Sequence, residues 1–373
     1  MIDAAPRMAL AAERELEALV GVSSPSGDRE GAEECVALAT AFLPTEAEVE
    51  RLECSMPGQA RDLVGRLRGS GTQRLLLLGH LDTVVHHEAH LPLAREGDRL
   101  TGSGTVDMKG GVALSLALMR ELAARPELFA EAAILLVNDE EWRTAPFAHA
   151  ERFAGFDACL CFEAGERTEA GEEAVIVKRK AAATLRVHAQ GRSSHSGSAP
   201  EKGRSALLAL AAVAQLVAAR SHPSGSDRLT TVPTILRSGD AFNVVPPAGE
   251  LVCDLRADRL EAFAAVLDAI PAEHDEVRLE AQLVRAWPGM DSRAATRGVL
   301  AAASVALGRP IVAAERGGAS DASHVAAGGI EVTIDGLGPR GGGAHAPHEW
   351  VSAESLRTRA EVALAVTAAV LGA

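Results

Sequence analysis

Tyrosine is absent from this 373-residue chain, and aromatic residues make up only 3% of it. No function is read from either fact. Cysteine is scarce and badly arranged for structural work. The five cysteines, Cys35, Cys54, Cys159, Cys161 and Cys253, are odd in number, scattered and in no metal-type spacing. That pattern predicts free buried thiols in a reducing cytoplasm, not a disulfide framework. Basic charge is also short, with 37 Lys and Arg against 51 Asp and Glu, a net −14. A nucleic-acid or anionic-membrane partner needs basic surface, so neither is expected. No apolar run reaches the ~18 residues of a membrane span. The opening Met1-Ile2-Asp3-Ala4 lacks the basic start and apolar stretch of a secretory signal. A cytoplasmic protein is therefore expected.

What is present is globular material, 47% apolar, and long enough that two domains are the default. Helices are expected near 8–20, 30–43 and 111–122, with short continuous apolar runs at 75–78, 132–137 and 158–162. Such strands, interleaved with helices, predict a mainly parallel sheet covered on both faces. The texture then changes. Ala183, Leu185, Val187 and Ala189 alternate with polar residues, and the following elements read β-α-β-β-α-β, with helices at about 203–220 and 258–269. After residue 293 the α/β texture resumes. The fold class is thus α/β, one domain from residues 1–180 and 294–373, interrupted by a ferredoxin-like α+β domain at 181–293.

The acids and histidines that stand out sit where strands end. His80 and Asp82 follow the 75–78 run, Asp107 precedes a helix, Glu140-Glu141 follow the third strand, Glu163 the next, and His345 lies after the last. Ligands of open α/β sheets bind at the carboxyl ends of strands. Several carboxylates converging there need cations to neutralise them. Imidazole with carboxylate and no thiolate suits catalytic zinc, or else cobalt or manganese. A His-x-Asp pair lets the carboxylate fix the imidazole tautomer. Adjacent glutamates can divide labour between metal and general base, and one carboxylate can bridge two metals. His87-Glu88-Ala89-His90 has the wrong spacing for a zinc-protease helix and is expected to be a surface loop, as is nearby His86.

Gly79-His80-Leu81-Asp82-Thr83-Val84, Gly104-Thr105-Val106-Asp107-Met108-Lys109-Gly110-Gly111, Asp139-Glu140-Glu141 and Gly343-Ala344-His345 together resemble the motifs of a di-zinc metallohydrolase family. That family contains glutamate carboxypeptidase, aminoacylase, acetylornithine deacetylase, succinyl-diaminopimelate desuccinylase and carnosine-type dipeptidases. The resemblance runs from about residue 12 to the end, in the family's order. It implies a zinc-aminopeptidase-like catalytic domain with an inserted lid that also dimerises. It implies two zinc ions per subunit, one on His80, Asp107 and Glu163, the other on Asp107, Glu141 and His345. Glu140 resembles the general base and Asp82 the carboxylate orienting His80. His195, in Gly191-Arg192-Ser193-Ser194-His195-Ser196-Gly197, and Asn243 resemble groups that hold the scissile carbonyl, in dimeric relatives at the neighbouring subunit's site. Arg256, Gly318 and Ser320 resemble parts that grip a substrate carboxylate, a task suited to arginine's bidentate fork. Trp142 and His348 depart from the family pattern and bear on substrate choice.

The implied activity is amide hydrolysis on a short peptide or N-acyl amino acid with a free carboxylate. A biosynthetic deacylase of acetylornithine or succinyl-diaminopimelate type is the alternative, and an inactive carboxylate-binding relative is a third.

Overall fold

The computed structural model describes every residue except Pro347. The chain divides into two compact units, residues 1–178 with 291–316 and 320–373, and residues 179–290 with 317–319. Gly317–Ala319, which the sequence assigns to the first domain, groups with the second unit; there the Gly318 carbonyl accepts a 2.9 Å hydrogen bond from Arg179 Nη1.

The first unit is built on a six-stranded sheet. Its strand order is Glu48–Leu52, Asp62–Arg68, Glu131–Val137, Arg74–His80, Ala158–Cys161 and Val332–Ile334. The last four run parallel; the first two are antiparallel additions at one edge. Leu75 to Leu78 and Ala132 to Val137 are all 0% exposed. Unbroken apolar runs form strands here because both faces of the sheet are covered, so no residue of the pleat can be polar without losing water. Helix Gly110–Ala123 is buried almost all round, and Ala5–Gly21 and Ala353–Leu371 share its core. Each fully buried leucine in that core contributes about 1.5–3 kcal/mol. Ser352 caps the last helix, accepting from Ser355 N at 3.1 Å. A smaller sheet pairs Glu173–Arg179, a strand the sequence reading did not anticipate, with Ile311–Arg316.

The second unit is a five-stranded antiparallel sheet in the order Thr230–Ser238, Ala248–Ala257, Ala181–Gln190, Val277–Trp287 and Glu273–His274. Its four long strands have the split β-α-β arrangement expected from the sequence. Ala181–Gln190 alternates buried with half-buried or exposed residues, so one face carries the core and the helix Ala206–Ala218. The second helix is shorter than expected. Residues 258–269 form only a 3-10 turn, Leu260–Phe263, and one α turn, Ala264–Leu267, because only Phe263 and Val266 there are fully buried and a longer helix has nothing further to cover. No described helix is long and apolar enough to cross a membrane.

Candidate metal centre

Parallel pairing brings the strand-end residues together. His80 lies opposite Val137, and Leu78 opposite Cys161. The chain leaving Val137 carries Glu140 and Glu141, and the chain leaving Cys161 carries Glu163, so all emerge at one edge beside His80. Asp107 arrives on the loop before helix Gly110–Ala123. That helix can approach because of Gly111, where a Cβ would sit 1.8 Å from the Phe162 carbonyl oxygen.

His80 Nε2 is 3.1 Å from Asp107 Oδ1 and 3.8 Å from Glu163 Oε1. Asp107 Oδ2 is 3.0 Å from Nε2 of His345, which is also 3.2 Å from Glu141 Oε2. One carboxylate therefore faces two imidazoles, one through each oxygen. The ligating atoms of His80, Asp107 and Glu163 lie within 4.8 Å of one another, and so do those of Asp107, Glu141 and His345. His345 sits in left-handed backbone, φ +65°, a conformation that costs a non-glycine residue of order 1 kcal/mol.

These residues fit divalent metals. Tetrahedral bonds of ~2.0–2.1 Å set neighbouring ligand atoms about 3.3 Å apart, and the four separations above straddle that value. Glu141 Oε1 is buried without a hydrogen-bond partner, an acceptor that the chain itself leaves unused. The donors, two imidazoles and three carboxylates, are those that zinc, cobalt or manganese accept. Among the described residues His86, His87 and His90 join no such cluster; exposed His87 instead contacts Ser23 Oγ at 2.8 Å.

The electrostatics match a site built around positive charge. Hydrogen bonds to Asp107 and Glu141 push the His345 imidazole up to about 10. Burial works against a charged His80, yet Asp107 and Asp82 still raise it. Burial opposes ionisation of Asp107 too, and the two histidines overcome it, holding that carboxyl below its ordinary range. Burial raises Glu141. Glu140, in neither triad, is raised well above the usual carboxylate range, first by burial and then by Asp321, Glu163 and Glu141 against the opposing pull of His80.

Asp82 does more than the His-x-Asp spacing implies. The nearest partner of His80 Nδ1 is the Asp82 main-chain carbonyl, at 2.9 Å, with carboxylate Oδ1 at 3.4 Å. The carboxylate accepts from the backbone N–H groups of Glu140 and Glu141, at 3.2 Å each, and from Ser26 Oγ at 2.8 Å. It braces the glutamate pair as well as lying beside His80. Trp142 is exposed, its indole against Gly27, and His348 is exposed.

The sequence reading passed over two supports. Glu349, 1% exposed, accepts from the backbone N–H groups of Gly104, Val106 and Asp107 at 2.9, 2.6 and 2.8 Å. Burial outweighs these donors and pushes its carboxyl up to about 7. Arg143 is 0% exposed and joins Asp139 to Asp321. Their only signal was position, each within four residues of a candidate ligand.

The remaining candidates lie apart from the triads in sequence. In the second unit, the His195 and Asn243 loops are joined by hydrogen bonds from Ser196 N to Asn243 O, 3.0 Å, and from Val245 N to Ser194 O, 2.9 Å. His195 Nδ1 accepts from Gly197 N and Ser198 N at 3.1 and 3.2 Å, which places the proton of the neutral ring on Nε2. Arg256 is half-buried and pairs with Asp254 at 3.0 Å. Ser320, in the first unit, is 1% exposed, and its hydroxyl is committed to Asp335 Oδ2 at 2.6 Å.

The sequence profile described as peptidase family M20/M25/M40 matches residues 76–369. Carboxypeptidase G2 of a Pseudomonas species is 29% identical over 369 residues, covering 92% of this chain and 85% of that protein. A succinyl-diaminopimelate desuccinylase of a Methylobacterium species is 32% identical over 306 residues, covering 74% of this chain and 76% of that one. Among solved structures, aminopeptidase PepT from Bacillus cereus superposes with a TM-score of 0.78 at 20% identity, covering 97% of this chain and 98% of that one. The chain belongs to peptidase family M20/M25/M40, whose members are metal-dependent peptidases and deacylases.

Proposed function

We propose that this protein is a di-zinc hydrolase that cleaves the amide bond of a short peptide or N-acyl amino acid bearing a free carboxylate. The reading rests on one observation above all: two ligand triads share Asp107, and Glu140 stands beside them without belonging to either. His80, Asp107 and Glu163 would hold one zinc, and Asp107, Glu141 and His345 the other; the same donors accept cobalt or manganese. Metal held by these residues would supply a Lewis acid for the scissile carbonyl and for the attacking water. Glu140 takes the attacking water's proton and passes it to the departing amine. His195, a donor through Nε2–H, and Asn243 stabilise the oxyanion. Arg256 receives the substrate carboxylate, sharing its fork with Asp254.

The protein is assigned to the cytoplasm, in keeping with five free cysteines. It is further assigned as a homodimer through the second unit. Val232, Ile235 and Leu236 on that sheet's edge strand and Leu207 and Leu208 on its helix are exposed large apolar side chains. Such a row on an unpaired edge favours pairing with a second copy.

The test is hydrolysis of dipeptides and N-acyl amino acids by metal-replete protein, with metal content measured by mass spectrometry. Chelation should abolish turnover and zinc should restore it. Glu140→Gln should retain metal while losing turnover; a Glu140→Gln enzyme that still turns over refutes the assigned base. Similarity to the desuccinylase supports a second reading, deacylation of an N-succinyl diamino acid. Activity on that substrate class alone would select it.

A further inference from the structure

The turn that presents Glu140 and Glu141 is closed twice by the same residue. Arg143 N–H donates to the Asp139 carbonyl at 3.0 Å, and Arg143 Nε donates to Asp139 Oδ1 at 2.9 Å. Asp139 Oδ2 is taken up as well, by Met56 N at 2.8 Å and Cys54 Sγ at 3.1 Å. The other end of the Arg143 fork grips both oxygens of Asp321, at 2.6 and 2.9 Å, where helix Asp321–Ala327 begins. The guanidinium carbon also lies 4.8 Å from the centre of the Phe147 ring, which stacks on His324 of that helix. All three charged groups are almost wholly buried, Arg143 and Asp139 at 0% exposure and Asp321 at 3%. A planar fork with fixed donors orients what it binds, which a lysine's point charge does not.

We infer that Arg143 is a positioning residue for the general base, setting the Glu140–Glu141 turn at a fixed distance from helix Asp321–Ala327. This rests on the reading of Glu140 as base. Arg143 is not one of the ligands or substrate groups of that scheme, although its charge attracts Glu140. Its positioning effect comes through the main chain of Asp139 to Arg143, the five residues that carry both glutamates. A displacement of about 1 Å in a catalytic group costs around 100-fold in rate. Loss of the fork should therefore fall on kcat and leave KM largely alone.

The experiment compares Arg143→Met, Arg143→Lys and Asp321→Asn with wild type and Glu140→Gln, measuring bound metal, melting temperature, kcat and KM. The expected result is folded Arg143→Met protein which, loaded at saturating zinc, has kcat about 100-fold down and KM within threefold. Arg143→Lys should recover part of that loss, since it restores the charge without the fork. Should Arg143→Met fail to fold, Asp321→Asn, which keeps one acceptor and the side-chain shape, should show the same kcat-weighted loss. A folded Arg143→Met or Asp321→Asn enzyme with kcat within threefold of wild type overturns the inference. So does a loss carried by KM, or one that saturating zinc removes. If Glu140→Gln is itself active, the assignment of the base fails instead, and the two failures are distinguished.

Discussion

Removing the Glu349 carboxylate should cost both stability and metal affinity. It accepts from three N–H groups in the loop that carries Asp107, with donor distances of 2.6–2.9 Å. A hydrogen bond to a charged acceptor contributes about 1.5–3 kcal/mol, and a buried donor left without a partner costs about 1–3 kcal/mol. Three such bonds on one carboxylate are not additive. Burial of that carboxylate, which raises its proton affinity, offsets part of the gain. A net loss of about 3–5 kcal/mol is therefore expected for Glu349→Ala. Glu349→Gln keeps one oxygen but turns an amide NH2 toward N–H donors, so about half that loss is expected. The second consequence is functional. With the Asp107 backbone released, metal affinity should fall about 10–100-fold, as for supports behind metal ligands generally. Calorimetry of the metal-free proteins measures the first effect, and zinc competition against a chelator the second. A Glu349→Ala protein within 1 kcal/mol of wild type, and with unchanged zinc affinity, would refute the bracing role.

Three other outcomes are expected. Gly111→Ala should destabilise by about 3 kcal/mol, because its Cβ would overlap the Phe162 carbonyl oxygen; an unchanged melting temperature would show that the helix and strand can separate freely. Glu131 is held below the ordinary glutamate value of 4.5, since Arg66, Arg74 and Arg68 together outweigh the burial that opposes its charge. A lowered folded value means that its stabilisation is complete above pH 4.5 and fades as pH falls through that lower value. Glu131→Gln should thus be less stable than wild type at neutral pH, with the gap narrowing in acid; a gap that stays constant in denaturant titrations contradicts the argument. Val232→Lys, on the exposed edge strand, should shift the molecular mass measured by light scattering from dimer to monomer while leaving the fold intact; a wild-type protein that is already monomeric defeats the dimer assignment.

The sequence by itself was enough for the architecture of the parallel sheet, because the leucine run of Arg74–His80 and the apolar run of Glu131–Val137 have no polar alternation and can be stable only between two layers of helices. It also identified His80, Asp107, Glu140, Glu141, Glu163 and His345 as strand-end or loop residues of metal-binding type. Their clustering was inferable from parallel strands, whose carboxyl ends lie on one edge. Local pattern was less informative wherever a residue's role depends on what lies opposite it. Glu349 reads as an ordinary charged residue until three N–H groups 242 to 245 positions away point at it. Nothing in the local sequence marks Arg143 until Asp321, 178 positions on, closes around it. Ser320 reads as an available hydroxyl until Asp335 claims it. Periodicity records which face of an element is buried, whereas a buried ion pair or a braced loop is a property of two distant segments. Those pairings, and with them the separations between the candidate metal ligands, were decided only by tertiary structure.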